Sequence, residues 1–352
     1  MIAHDYLTQR GGAERVVLDL LRAFPGSRLV TSVWHRDQTF PEFEQYDVET
    51  LWLDKVPVFR ADPRRAFPLL AGAWARHVID DADAVVCSTS GWAHRVGTSG
   101  AKVVYCHNPA RWFYQPDDYL QALPPWAREQ FARRTRKLRV SDAAAARAAS
   151  AYLVNSRVVA ARVESAYGIR AEIVPPPRGV DPSGPVEPVP GVVPGFLLTV
   201  GRSRGYKNTE VVIAAMRDLP GERLVCVGER AEDDESTTYL TDLTDAQMRW
   251  LYANAFALVA VANEDFGLTP VEAQAFGIPT VALRAGGYLD STLEGVTGVY
   301  VDTATPDAVA AGVRAARAKA WDRDAIVRAG ERYSPETFRR RVAEAVEVAI
   351  SR

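Results

Sequence analysis

Cysteine is scarce in this 352-residue chain. The three present, Cys87, Cys106 and Cys226, are too few and too scattered for a disulfide framework or a thiolate metal cluster. Each lies in a short apolar run, VVCST, VVYCHNP or LVCVG, so a reduced thiol buried in a strand is expected. No apolar run approaches the roughly 20 residues of a membrane-spanning helix, and no signal pattern opens the chain. A cytoplasmic protein with at most peripheral membrane contact is the expectation. The net charge of -2 gives no general reason for a nucleic-acid partner. The dinucleotide pattern G-x-G-x-x-G is missing too, which argues against a nicotinamide enzyme.

What is present is a 47% hydrophobic chain of a length that suits two domains, each with its own core. Charge divides unevenly: residues 1–180 carry a net +5 and residues 181–352 a net -7. Short apolar runs alternate with helical stretches. In the first half they are SRLVTSVW, DAVVCST, AKVVYCH, SAYLVNS and AEIVPPP; in the second, FLLTVGR, RLVCVGE, FALVAVA, PTVALRA and GVYVD. Runs of this kind, spaced by helices, predict parallel sheets wrapped by crossover helices, and so two doubly wound α/β domains. The Pro- and Gly-rich stretch at residues 175–195 reads as the connection between them. The expected organisation is a domain over residues 1–178, a linker over 179–195, a second domain over 196–333 and a terminal helix over 334–352 that returns to the first domain. Such sheets bind ligands at the carboxyl ends of their strands, and two facing domains would share a cleft.

Four stretches fall at strand ends. In NEDFGLTPVEAQAFG, residues 263–277, Thr269 reads as a helix cap, Pro270 as the first helical residue and Glu272 as the acid reaching back to the cap amide. The same geometry would leave backbone N–H groups and a positive helix end beside Gly267, a setting that suits phosphate. Glu264, at the end of strand FALVAVA, is placed to accept hydrogen bonds from sugar hydroxyls or to stabilise developing positive charge. In VGRSRGYKN, Arg202 and Lys207 follow a strand and precede a helix capped by Asn208 or Thr209, where they read either as solvated charges or as ligands of a diphosphate. His107, in VVYCHNPARWFYQ, is either a hydrogen-bonded structural residue or a site residue. Gly11 and Gly12, in TQRGGAERVV, make either a plain turn or a loop whose amides meet an anion.

Taken in order, GGAERVV, YCHNPARWFY, VNSRVVAARVESAYG with IVPPPRGVD, VGRSRGYKN, and EDFGLTPVEAQAFGIPTVALRAGGYLD with GVTGVYV resemble glycosyltransferase family 4, the retaining GT-B enzymes. The resemblance covers nearly the whole chain. Its specific part is the E-x7-E element with its Arg-x4-Lys partner. The Tyr-Cys-His and Asn-Ser stretches look most like bacterial enzymes that transfer mannose from GDP-mannose in polysaccharide assembly.

The resemblance implies a GT-B fold of two Rossmann-like domains and a nucleotide-diphosphate sugar donor. It implies that Arg202 and Lys207 hold the diphosphate and that Glu272 binds the ribose hydroxyls. Glu264 would meet the donor sugar, while Phe266, Gly267, Leu268 and Thr269 close on sugar and phosphate. His107 would contact the sugar from the other domain, and Gly11 and Gly12 would approach the diphosphate and the reacting centre. No metal and no separate cofactor is expected, since cations and helix dipoles can stabilise the leaving group. A UDP-sugar enzyme of the same fold and a non-catalytic nucleotide-binding subunit are the alternatives.

The sequence departs from the family pattern in three places. MIAHDYLTQ leaves little first strand ahead of the glycine loop, so a trimmed start is expected. RAEDDES replaces a helix beside the nucleotide base, and Asp290 stands after the Gly-Gly pair where a Glu is usual. The acceptor, a saccharide or a lipid-linked one, is expected on the basic first half. Residues 125–140, PWAREQFARRTRKLRV, set Arg133, Arg134, Arg136, Lys137 and Arg139 among Trp126, Phe131 and Leu138. That composition fits either a solvated basic helix or contact with the anionic inner face of the plasma membrane.

Overall fold

The computed structural model describes residues 1–116, 120, 123–201, 207–229 and 231–352. They form two compact units: Met1–Pro177 with Pro335–Arg352, and Arg178–Ser334.

The first unit is built on a seven-stranded parallel sheet. Its strands are β1 (Ile2–His4), β2 (Leu29–Thr31), β3 (Val48–Thr50), β4 (Ala84–Thr89), β5 (Ala101–Cys106), β6 (Ala151–Val154) and β7 (Glu172–Ile173), in the order β3-β2-β1-β4-β5-β6-β7. The first strand, expected to be trimmed, is three residues long and hydrogen-bonds both β2 and β4 in register. Successive side chains of β4 and β5 enter opposite cores. Val85, Cys87, Val104 and Cys106 pack on one face, and Ala84, Val86, Val103 and Tyr105 on the other. Both faces are buried, which is why these strands read as unbroken apolar runs rather than alternating ones. Cys87, Cys106 and Cys226 are buried thiols outside any disulfide, and burial pushes the Cys87 thiol up to about 12.

Helices cover both faces. On one lie α1 (Gly12–Ala23) and the terminal helix, whose Phe338, Val342 and Val346 join Val17, Leu20 and Leu21. On the other, α2 (Phe67–Arg76), α3 (Pro125–Arg147) and α4 (Arg157–Tyr167) enclose Trp74, Trp92 and Trp112.

The second unit has a six-stranded parallel sheet of β8 (Leu197–Val200), β9 (Leu224–Val227), β10 (Thr237–Leu240), β11 (Ala257–Ala260), β12 (Thr280–Leu283) and β13 (Gly298–Val301). Its order is β10-β9-β8-β11-β12-β13. The chain connects β9 to β10 over residues 228–236 with no helix among the described residues, through a turn in which Asp234 accepts the amides of Ser236 and Thr237. The Pro-rich stretch expected to be a linker is irregular, yet from Arg178 onward it belongs to this unit. Val180 and Val189 are buried in its core, and Gly195 donates to the Asn254 carbonyl. Its prolines bar strand or helix hydrogen bonding, but its valines still gain by leaving water.

In each sheet the strand order reverses once, between β1 and β4 in the first unit and between β8 and β11 in the second. Outside the carboxyl ends of such strand pairs, two loops part in opposite directions and leave a crevice.

Candidate functional site

In the second unit the reversal point gathers the residues that the sequence singled out. The chain after β8 resumes in the described residues at Lys207 and Asn208, and the loop after β11 runs from Val261 to Gly267. Because β8 and β11 are hydrogen-bonded neighbours, side chains 57 positions apart meet: the Lys207 ammonium donates to the Glu264 carboxylate. Both remain partly exposed, at 25% and 21%. Asn208 ties the loops a second time, its side-chain amide donating to the Val261 carbonyl at 2.8 Å. It does so from a left-handed backbone, φ 53°, a conformation that Asn tolerates better than most side chains. Asn208 precedes α5 (Thr209–Ala215) at the cap position, but its side chain serves the strand-end tie rather than the helix amides. Arg202, the other expected diphosphate ligand, lies outside the described residues.

Helix α7 (Leu268–Ala275) begins two residues earlier than the sequence suggested. Gly267, not Thr269, is its cap, and the cap makes no side-chain hydrogen bond. The capping box is therefore not formed. Thr269 and Pro270 sit inside the first turn, where Pro costs little because the amides there lack helical partners. The physical cause is Gly267 itself: φ is 82°, and a Cβ there would lie 2.3 Å from the Tyr288 ring. Only glycine lets the loop enter the helix at that angle. Glu272 thereby lies in the second turn of the helix, five residues past the cap. Its Oε2 accepts the Tyr252 hydroxyl at 2.6 Å, from α6 (Asp245–Asn254). Phe266 is buried against Val271 and Tyr333, anchoring the loop beneath Gly267.

Gly286 and Gly287 support the same loop from the next strand. The Gly287 amide donates to the Glu264 carbonyl at 2.8 Å. A Cβ on Gly287 would lie 2.2 Å from Phe266 Cα, and one on Gly286 2.5 Å from the Glu264 carbonyl oxygen. Asp290 accepts through its main-chain oxygen from the Tyr333 hydroxyl at 2.7 Å.

In the first unit, His107 follows β5 at the strand end. Its Nε2 lies 2.8 Å from Ser88 Oγ, which is also 3.1 Å from His4 Nδ1. The Asn155 side chain donates to the His107 carbonyl at 3.0 Å. Burial, then the neighbouring His4, holds the His107 imidazole down at about 3, so it is neutral at physiological pH. The reversal point itself is filled by an internal acid. Asp5 accepts from the amides of Ser90, Trp92 and Ala93 and from Thr89 Oγ1, which fixes the loop after β4. Gly11 caps α1 from an extended backbone, and a Cβ there would come 2.5 Å from Glu14 Oε2; Gly12 is the first residue of the helix. Past His107, a cavity of about 260 Å³ is lined by Asn108, Tyr114, Gln115, Arg139, Arg162 and Ser165. Behind it, Asp142 is fully buried between the hydroxyls of Tyr114 and Tyr167 and the imidazole of His94.

Tyr252, Asp5 and the contacts of Gly286 and Gly287 carry no signal in the linear sequence beyond residue type, and Asn208 was legible only as a helix cap, not as the tie to Val261. The Gly-Gly pair entered the sequence reading only as the landmark ahead of Asp290 in the family pattern.

Two family models match the chain: one described as Glycosyltransferase Family 4 over residues 10–183, and one described as Glycosyl transferases group 1 over residues 192–332. Among curated relatives, the D-inositol 3-phosphate glycosyltransferase of Segniliparus rotundus is 34% identical over 185 residues, covering 45% of this chain and 38% of that protein. The same-named protein of Xylanimonas cellulosilytica is 29% identical over 247 residues, covering 55% and 58%. Less than two thirds of these relatives' length is thus matched. Among solved structures, Anabaena HepE in complex with UDP and glucose aligns with a TM-score of 0.70 at 18% identity, over 98% of both chains. Sucrose-phosphate synthase from Thermosynechococcus elongatus aligns at 0.71 and 15%, over 100% of this chain and 99% of that one.

Proposed function

Since the chain belongs to glycosyltransferase family 4 and has a GT-B fold, we propose that it transfers a sugar from a nucleotide-diphosphate donor to a saccharide or lipid-linked acceptor, with retention of anomeric configuration. The observation that carries this reading is the convergence, at one strand-order reversal, of Lys207, Glu264, the glycine-led start of α7 and Glu272. A cation and the positive end of a helix suit a departing diphosphate, and two carboxylates suit vicinal hydroxyls.

In this reading Lys207, with Arg202, and the α7 amides take up the charge that develops as the bond to the diphosphate breaks. Glu264 orients the sugar and Glu272 the ribose. The leaving phosphate assists deprotonation of the acceptor hydroxyl, which attacks from the same face. Inversion at the anomeric carbon of the product would rule this out. Turnover needs no metal and should survive a chelator. Neutral His107 serves as a hydrogen-bonding contact rather than a cation.

The donor favoured is GDP-mannose, on the resemblance of YCHNPARWFY and VNSRVVAARVESAYG to bacterial mannosyltransferases. A UDP-sugar is the second reading, supported by the fold's likeness to a protein solved with UDP-glucose. The acceptor is assigned to the first unit, where the cavity beside His107 offers Arg139 and Arg162. Helix α3 exposes Trp126 to 65% and Val140 to 66% amid its arginines, which supports peripheral contact with an anionic membrane surface from the cytoplasmic side. No helix among the described residues is long and apolar enough to cross a membrane.

Calorimetric titration with GDP and UDP, for the wild type and Glu272→Ala, tests the reading and chooses the donor class. One nucleotide should bind tightly and lose affinity in the variant. Turnover of GDP-mannose and UDP-glucose then follows. Binding without turnover across acceptors would favour a non-catalytic subunit, and binding of neither nucleotide would defeat the proposal.

A further inference from the structure

We infer that Tyr252 is a positioning residue that sets the ribose selectivity of this site by fixing the carboxylate of Glu272. The inference rests on the assignment of Glu272 to the ribose hydroxyls and names a residue that acts through it.

Tyr252 is wholly buried within the core of the second unit, its ring stacked on Phe276 with centroids 5.5 Å apart and an interplanar angle of 16°. A buried tyrosine must satisfy its hydroxyl, and a backbone carbonyl or a water is the ordinary way. Here the hydroxyl reaches the Oε2 of a partly exposed glutamate at 2.6 Å, within the range of short, charge-assisted O–H···O⁻ bonds. Phe276 directly follows α7, so the stacked pair holds both the tyrosine and the end of the helix that carries Glu272.

A glutamate on a helix surface samples many rotamers, and immobilising it on binding weakens affinity by about tenfold. Tyr252 fixes the rotamer in advance. It donates to Oε2 alone, and a carboxylate carries about four acceptor lone pairs on its two oxygens with which it can also meet hydroxyl protons. The discrimination between a ribonucleotide and one lacking its ribose hydroxyls should therefore depend on a phenol that the ligand never touches.

The test compares UDP and GDP with their 2′,3′-dideoxy forms by calorimetry, in the wild type, Tyr252→Phe and Glu272→Gln, with thermal unfolding of each. The wild type should prefer the ribonucleotide by about tenfold or more, the scale of a hydrogen bond to a charged group. In Tyr252→Phe, which keeps the ring and its stacking, the preference should fall to about threefold or less while dideoxy binding is unchanged. Glu272→Gln should lose it as well. If Tyr252→Phe weakens ribo and dideoxy nucleotides equally, the tyrosine is merely structural and the inference fails while the ribose assignment stands. If Tyr252→Phe keeps the full preference that Glu272→Gln loses, the inference likewise fails alone. If the wild type shows no preference, or binds neither nucleotide, the ribose assignment fails and takes the inference with it.

Discussion

Replacing Gly287 by alanine isolates one contact on which the proposed donor site depends. Gly287 has an ordinary helical backbone, φ -71°, so alanine brings no conformational strain. What it brings is a Cβ 2.2 Å from Phe266 Cα and 2.5 Å from the Asp265 carbonyl oxygen and the Phe266 nitrogen. All three are backbone atoms, so no side chain can rotate away. Restoring van der Waals contact requires the Glu264–Phe266 loop to retreat by roughly 1 Å, which also strains the hydrogen bond from Gly287 to Glu264. Overpacking of this kind costs about 1–3 kcal/mol, or a fall of about 2–12 °C in the melting temperature of a unit this size. A displacement of ~1 Å at a positioned carboxylate can reduce turnover about 100-fold. The assay is thermal unfolding together with affinity and turnover for the sugar nucleotide. Gly295→Ala is the control: its φ of 77° brings strain, yet a Cβ there meets nothing within 4 Å. It should lower stability by about 1–2 kcal/mol and leave the donor site intact. Wild-type melting and affinity in Gly287→Ala would refute the reasoning. So would an equal loss of affinity in Gly295→Ala, because the effect would then be general destabilisation.

Three further outcomes are expected. Lys207→Ala should weaken nucleoside diphosphate binding by about tenfold or more, whereas Glu264→Ala should leave it unchanged or tighter by removing a competing partner of Lys207; calorimetry decides, and the opposite ranking would reverse the assigned roles. Because His107 is held near pH 3 in the fold but titrates near 6.5 in an unfolded chain, the unfolded state binds more protons between those values, so this contribution is complete above about pH 6.5 and is lost as pH falls toward 3. The slope is at most about 1.4 kcal/mol per pH unit, less because the ring is not wholly shielded. Denaturant titrations of His107→Gln at pH 6.5, 5.5 and 4.5 should show a flatter decline than the wild type, and parallel curves would contradict the shift. Sedimentation with anionic vesicles at low salt should carry the protein down and fade as salt rises, each arginine of α3 contributing about 1 kcal/mol near the surface. Trp126→Ala with Arg133→Ala and Arg136→Ala should weaken it, and sedimentation indifferent to salt or to these changes would count against membrane contact.

Much of the scaffold was legible in the chain. FALVAVA and VVYCHNP read as strands because a sheet buried on both faces leaves apolar residues at consecutive positions, and Val259, Ala260 and Tyr105 are indeed buried in their cores. The strands missed are short or polar, such as Val48–Thr50 and Thr237–Leu240, where edge positions relax the demand for apolar residues. The capping reading of Thr269 failed because a local rule met a stronger constraint, the packing of Gly267 against Tyr288. The linker reading overlooked that two valines suffice to lay an irregular segment on a core.

By itself the sequence determined the apolar strands of both sheets, which residues stand at their carboxyl ends, and which family the motifs resemble. Those properties follow from periodicity and from residues close together in the chain. The tertiary structure decided which of the residues meet. Lys207 finds Glu264, Tyr252 finds Glu272 and Gly287 bears on Phe266 because β8 lies beside β11 and α6 beside α7. Strand order and helix packing are set by burial of the whole sheet, and no local pattern of residues encodes them.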